Sequence, residues 1–331
     1  MAAEERMSTW SDATRIVREE EEVEPESEVQ GESAAAAAGS SNNDNHSPNS
    51  PVALITAGSA GVGAATARLL ARRGYRVVIN FSRNTERARK VVGELQQLSC
   101  LPAHEIQNEH GNAYLAIRAD LGSREEIGRL VCETVVQMGR LDVLFSNGGW
   151  TKFRDMTSIE DNTIEEDWDM CFNINVKSHL WLMQAAKEQL DRTEGAFITT
   201  ASAAGIYPSG SSLAYSVTKA AQIHLVKNLA VMAAPKIRVN SVSPGLLLTE
   251  WSDRFSEQAK DAYRQKTKLK RFPTVEVSTT TQITHLPLRP YPFRDKPAWF
   301  IRSLPSRDII AHTAGYRMWP NKSSPSQRAK A

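Results

Sequence analysis

The sequence predicts an α/β fold: a doubly wound parallel sheet with helices on both faces. Three observations predict it. Short apolar runs alternate six times with longer stretches of helical periodicity between Pro51 and Val242. A glycine-rich turn joins the first apolar run to the first helix. Residues able to bind or to exchange protons follow the ends of the apolar runs, where an open parallel sheet presents its crevice.

The chain as a whole sets the bounds. It has 331 residues, 41% of them apolar, enough for one large α/β domain with polar extensions. A net charge of +2 supplies no global field, so neither nucleic acid nor a membrane is an expected partner. The charge is uneven: residues 1–50 hold 12 acids and 3 bases, and residues 277–331 hold 9 bases and 2 acids. Cys100, Cys132 and Cys171 show no metal-ligand spacing, so no metal site is expected. Three sparse cysteines suit a reducing, cytoplasmic compartment. No apolar run is long enough to span a bilayer, and the acidic N-terminus does not read as a secretory or mitochondrial signal. Residues 1–50, with the Glu19–Glu22 and Ala34–Ala38 runs, predict a disordered acidic tail, since few large apolar groups offset ordering entropy.

Val52–Thr56 reads as a strand buried on both faces. It enters Ala57-Gly-Ser-Ala-Gly61-Val-Gly63, and a helix follows from about Ala64 to Arg73. Glycines let backbone approach a diphosphate, and the helix N-terminus supplies free N–H groups and a partial positive charge. The second strand, Gly74–Asn80, ends in Phe81-Ser82-Arg83-Asn84, with no acid before Glu86. A carboxylate there would take the ribose hydroxyls of NAD; Ser82 and Arg83 instead suit the 2′-phosphate of NADP, so NADP is expected over NAD. A helix over Glu86–Leu98 leads to a loop with His104 and His110, expected to be exposed. The strand Ala113–Ala119 ends at Asp120, placed to meet an adenine amino group or to cap the helix Ser123–Met138. Leu141–Phe145 leads to Ser146-Asn147-Gly148-Gly149, and Thr163–Leu190 reads as one long helix interrupted in character by Asn175. Ala196–Ala201 ends at Ser202, and Ile237–Val242 leads to Pro244, Gly245 and Thr249.

Between these last two strands lies Leu213-Ala-Tyr-Ser-Val-Thr-Lys-Ala-Ala221. Tyr215 and Lys219 share one helix face at this spacing. A free phenol titrates near ~10, and an adjacent ammonium favours the phenolate, so the pair is a candidate general acid/base.

With these motifs in this order, residues 51–276 resemble the short-chain dehydrogenase/reductase family, near its NADP-dependent ketoacyl-reductase branch. The resemblance implies a Rossmann-type sheet and hydride transfer between NADP(H) and a carbonyl or secondary alcohol. It implies that Tyr215 protonates the carbonyl oxygen, Ser202 polarises it, Lys219 binds the nicotinamide ribose and lowers the tyrosine pKa, and Asn175 holds a helix kink and a relay water. Thr56, Gly58, Ser59, Gly61, Val62 and Gly63 would cradle the diphosphate. Asp120 with Leu121, and Asn147 with Gly148, would flank the adenine side and the central strand. Pro244, Gly245 and Thr249 would close on the nicotinamide. Homodimers or tetramers are implied as well. Two departures are mild: Ala57 replaces a glycine, and the Asn-Asn-Ala-Gly signature reads Ser146-Asn-Gly-Gly149. A non-catalytic NADP-binding sensor or scaffold is the alternative from another class, and a small-molecule carbonyl is the only substrate description the sequence supports.

The C-terminal residues 277–331 depart most. They hold seven of the fifteen prolines and no useful periodicity, so an irregular basic tail is expected, with the family's last strand missing and the sixth strand left as an open edge. Val277-Ser278 is what the splice-donor sequence GTG-AGT would encode on read-through, which suggests a gene-model artefact. Sequencing the transcript across this junction should show a different continuation; a spliced message encoding this same tail would refute that origin.

Overall fold

The computed structural model describes residues 50–108, 111–283 and 309–313. The predicted acidic tail lies outside the described residues except for Ser50, as does most of 277–331 and His110.

Seven strands form the main sheet: β1 Val52–Ile55, β2 Arg76–Phe81, β3 Tyr114–Arg118, β4 Val143–Ser146, β5 Ala196–Thr200, β6 Arg238–Pro244 and β7 Ile309–Thr313. Their order is β3-β2-β1-β4-β5-β6-β7, and the first six are mutually parallel. The helices are α1 Gly61–Ala71, α2 Thr85–Leu98, α3 Arg124–Met138, α4 Glu165–Phe172, α5 Ser178–Thr193, α6 Leu213–Ala233, α7 Glu257–Lys266 and α8 Val275–Ile283. The predicted doubly wound parallel sheet is therefore present.

The period of two along β1 explains why both faces need cover. Val52 and Leu54 join a core with Leu130, Leu182, Phe197 and Val226, under α3, α5 and α6. Ala53 and Ile55 join a second core with Ala67, Leu70, Val91 and Leu95, under α1 and α2. In register, Leu54 stands between Val78 of β2 and Leu144 of β4. The order reverses at β1, so the crevice opens beside its carboxyl end.

Three local differences from the sequence reading have physical causes. The first helix begins at Gly61 instead of Ala64, so two turn glycines already lie in its first turn. The expected single helix over Thr163–Leu190 is α4 and α5 joined by a π turn at Asn173–Lys177. Asn175 is fully buried within that turn, its amide committed to groups outside the helix. The loop before β3 contains a helical turn at Ala103–Ile106 and a two-residue ladder, and His104 is exposed as expected.

The C-terminal expectation also needs correction. The edge of β6, expected to stand open, is covered by β7, which runs antiparallel with Val242 opposite Ala311. An open ladder of N–H and C=O groups pairs with any extended segment, and an antiparallel partner satisfies it as well as a parallel one. Nor is the stretch from Val277 irregular throughout, since α8 crosses the 276/277 junction and packs near α1 with Ser278 and Thr279 buried. Its three threonines give it poor intrinsic helicity, so packing and not local pattern determines it. Truncation after Ile283 should lower stability by on the order of 3 kcal/mol, from ladder bonds contributing about 1 kcal/mol each. Chemical denaturation measures this, and an unchanged midpoint would mean that β7 adds nothing to the fold.

Candidate active site

The turn after β1 is stitched to the two neighbouring strands, β2 and β4. Thr56, fully buried, donates its N–H to Phe145 O at 3.0 Å, and its Oγ1 accepts from Asn147 N at 2.8 Å and Gly148 N at 3.1 Å. Ala57 N donates to Asn80 Oδ1 at 3.2 Å, and Gly58 N donates to Asn80 O at 2.8 Å. The Asn80 amide in turn donates to Ala119 O beyond β3 at 3.0 Å. Asn80 thus sets the turn's height above the sheet, a role the sequence reading did not assign to it. Ala57 occupies left-handed backbone at φ 49°, where glycine is the unstrained residue.

The glycines of the turn answer to two different needs. A Cβ at Gly58 would lie 2.7 Å from Ile79 Cβ, and one at Gly63 would lie 2.5 Å from Ala57 O, so both are required by close packing. Gly61, at φ +51°, faces open space, with Thr249 Cγ2 the nearest atom at 3.9 Å. Ala60 offers no capping side chain and the first turn of α1 has no acid, so the helix start presents its N–H groups to a bound anion. Ser59 is buried and Val62 half-buried beside it. These residues fit the diphosphate of a dinucleotide.

Downstream, Gly148 is needed for close approach, since its Cβ would meet Leu121 Cδ1 at 2.3 Å. Asn147 Oδ1 accepts from Thr200 Oγ1 at 2.9 Å, which joins the ends of β4 and β5. Asp120 is exposed; its Oδ1 accepts from Gly122 N at 2.8 Å, and its own N–H donates to Glu126 Oε2 at 2.7 Å. The alternative that Asp120 caps the following helix is not what occurs: Ser123 is the cap, accepting from Glu126 N at 3.2 Å. Ser82 and Arg83 are exposed at the end of β2.

The reactive groups converge on the start of α6. Ser212 caps the helix by accepting from Tyr215 N at 3.2 Å, which places Tyr215 in the first turn. Ser202, just beyond β5, lies beside the Tyr215 phenol and favours its ionised form. Lys219, one turn on, places Nζ 5.6 Å from the Tyr215 ring centroid and donates to Thr200 O at 3.0 Å and Gln222 Oε1 at 2.9 Å. The close approach of residues 203–205 to α6 depends on Gly205, where a Cβ would lie 2.5 Å from Lys219 C. Asn175 clamps Trp150, accepting from its N–H at 2.8 Å and donating to its O at 2.9 Å, and also donates to Thr218 Oγ1 at 3.1 Å. Gln222, Thr218 and Thr200 were not singled out in the sequence. Only the i, i+3 spacing of Lys219 and Gln222 offered a signal for any of them.

Burial sets the electrostatics. It pushes the Tyr215 phenol upward, while the neighbouring Ser202 pulls the other way. It pushes the Lys219 ammonium down to about 7. The expected lowering of the phenol by Lys219 does not occur: burial raises it, and the group that pulls it down is Ser202. An amine titrating near neutrality carries only part of a charge, and its donors are already directed at Thr200 and Gln222. His179 is also held neutral: burial pushes it down to about 3, and its Nδ1 lies 2.5 Å from Ser146 Oγ. It belongs to the interior behind the site.

A strap after β6 borders the site. Pro244 ends the strand and Gly245 follows. The Trp251 ring stands edge-on to Tyr215 at 5.7 Å between centroids, and Phe255 meets Phe153 edge-on at 4.8 Å. Among the described residues no group of His, Cys, Asp and Glu could hold a metal ion, and no helix is long and apolar enough to cross a membrane.

A glycine turn at the switch point of a parallel sheet, with a Ser–Tyr–Lys cluster across the crevice, defines a nucleotide-dependent α/β oxidoreductase. The short chain dehydrogenase family model matches residues 51–260, and the chain belongs to that family. A protein named as ketoacyl reductase 2 of the granaticin polyketide synthase, from Streptomyces violaceoruber, is 35% identical over 228 residues, 68% of this chain and 84% of the relative. A short chain dehydrogenase from Burkholderia cenocepacia, solved with NADP, is 28% identical with a TM-score of 0.62, covering 72% of this chain and 91% of that one. A 7α-hydroxysteroid dehydrogenase solved with NADH and a 7-oxo bile acid conjugate is 26% identical with a TM-score of 0.62, covering 71% and 87%. The protein is an oxidoreductase that moves a hydride between a nicotinamide cofactor and a carbonyl or alcohol.

The buried pair predicts how stability varies with pH. Between about 7 and the unfolded lysine value of 10.5 the unfolded chain binds the extra proton, so Lys219 makes stability rise with pH. Tyr215 acts oppositely: its folded value lies above the unfolded value of 10.0, so its contribution is full below that pH and is lost above it. Denaturation midpoints should rise from neutral pH toward 10 and then fall. Lys219→Met should flatten the rise, and a slope that survives the substitution would assign it to another group.

Proposed function

We propose that the protein is an NADP(H)-dependent reductase/dehydrogenase acting on a small-molecule carbonyl or secondary alcohol, with Tyr215 as general acid/base. The observation that carries this reading is the gathering of Ser202, the buried Tyr215 phenol and Lys219, one helical turn behind, at the end of β5. In the reducing direction Tyr215 gives its proton to the carbonyl oxygen, and Ser202 polarises that oxygen. A bound nicotinamide supplies the hydride. Lys219, whose ammonium burial pushes down to about 7, has when protonated a third donor beyond those held by Thr200 and Gln222, and this donor serves the cofactor ribose. Asn175, by holding Trp150 and Thr218, ties the segment after β4 to α6 beside Tyr215.

Cofactor choice rests on this chain's own residues, since one solved relative holds NADP and another NADH. Exposed Ser82 and Arg83, with no acid at the end of β2, support the 2′-phosphate form. Thr56, Gly58, Ser59, Gly61, Val62 and Gly63 take the diphosphate, Asp120 and Leu121 the adenine side, and Asn147, Gly148, Pro244, Gly245 and Thr249 the nicotinamide half. The catalytic unit is residues 51–276, a homo-oligomer in the cytoplasm.

Tyr215→Phe should lower ketone-dependent NADPH oxidation by about 10²–10⁴-fold, as loss of a general acid does, while NADPH still binds. Following cofactor fluorescence and absorbance with a ketone panel measures both. Wild-type protein that binds NADPH but oxidises it with no ketone would support the sensor or scaffold reading instead.

A further inference from the structure

One ion pair joins two parts of the chain that flank the cofactor crevice. Arg87, in the first turn of α2, donates from Nη1 to Glu250 Oε2 at 2.6 Å. Glu250 belongs to the strap after β6 and follows Thr249, the residue nearest the open side of Gly61. The pair is exposed, the Glu250 side chain at 75% and Arg87 at 39%, and such pairs are weak. The Nε of Arg87, by contrast, is buried and has no hydrogen-bond partner among the described residues. A guanidinium binds most strongly when Nε or a second Nη joins the first in a two-pronged contact, and Glu250 engages only Nη1.

Other cations lie around the same strand end. Arg83 is exposed four positions before Arg87, and Arg118 Nε donates to Ser82 O at 3.1 Å. Glu86 shares the first turn of α2 and is exposed.

We propose that Arg87 is a further ligand for the 2′-phosphate of NADP, and that Glu250 is the group this phosphate displaces. The proposal rests on the NADP reading above. A phosphomonoester carries close to two negative charges at neutral pH and three acceptor oxygens, so it outcompetes a single carboxylate and can accept from Nε and an Nη together. The ribose hydroxyl of NAD has no charge to offer in exchange, so Glu250 keeps Arg87 when NAD binds. The carboxylate thus sets a threshold that only the phosphorylated ribose crosses, and Arg87 with Glu250 determines cofactor specificity.

The test measures dissociation constants by calorimetry on the full chain. The probes are NADPH, NADH, adenosine 2′,5′-bisphosphate and 5′-AMP, and thermal melts confirm folding. Arg87→Gln should weaken NADPH and the bisphosphate by about tenfold, the loss of one charge-assisted contact, and leave NADH and 5′-AMP within about twofold. Arg87→Lys, which keeps charge but loses the fork, should fall between. Glu250→Gln should tighten NADPH roughly threefold and leave NADH unchanged, with no tightening when Arg87→Gln is also present. Equal weakening of NADPH and NADH in Arg87→Gln, or an unchanged ratio in Glu250→Gln, would overturn the proposal while the NADP reading stands. A wild-type preference for NADH would overturn both.

Discussion

The structure depends on keeping a lysine and a phenol out of water on one face of α6. Burial alone disfavours both charged forms, and the fold offsets this with a small set of polar groups. Thr200 O and Gln222 Oε1 receive the Lys219 donors, and Gln222 Nε2 also reaches Thr200 O at 3.2 Å. Ser202 answers the phenol. Each of these partners comes from the end of β5 or from α6 itself, so the chemistry is held by the junction of one strand and one helix. A glycine at 205 permits that junction, since any larger residue would drive the two apart.

The other wall of the crevice is built by the same means. Thr56, Asn80 and Asn147 are the polar residues where β1, β2 and β4 give way to turns, and their side chains hydrogen-bond the neighbouring backbone. Parallel strands end with unpaired groups at their carboxyl edge, and a buried edge cannot leave these to solvent. The side chains that satisfy them also fix the height of the glycine turn above the sheet. Stability and ligand geometry therefore share one row of hydrogen bonds.

The π turn at Asn173–Lys177 extends this logic into a helix. A buried amide at Asn175 is destabilising within a regular helix unless it is satisfied elsewhere, and here it is fully engaged by Trp150 and Thr218. The widened turn is the local consequence, and it allows α4 and α5 to serve different parts of the molecule. Cys171, at the end of α4, is pushed up to about 11 by burial in the same apolar cluster as Tyr215, so it stays a thiol there.

By itself the sequence determined the six parallel strands, the glycine turn and the pairing of Tyr215 with Lys219, because alternation, glycine placement and helical spacing are short-range patterns. Ser202 was legible too, as the residue ending a strand thirteen positions before the tyrosine. Only the tertiary structure decided the rest. The Tyr215 and Lys219 environments reversed the simplest electrostatic expectation, because desolvation depends on everything packed around a group and not on its nearest charged neighbour. Asn80, Gln222 and Thr218 acquired their roles from partners contributed by other elements. The covered edge of β6 was invisible for the same reason: whether Ile309–Thr313 forms a strand depends on an open ladder 65 or more residues away in the chain, and no local pattern reports on that.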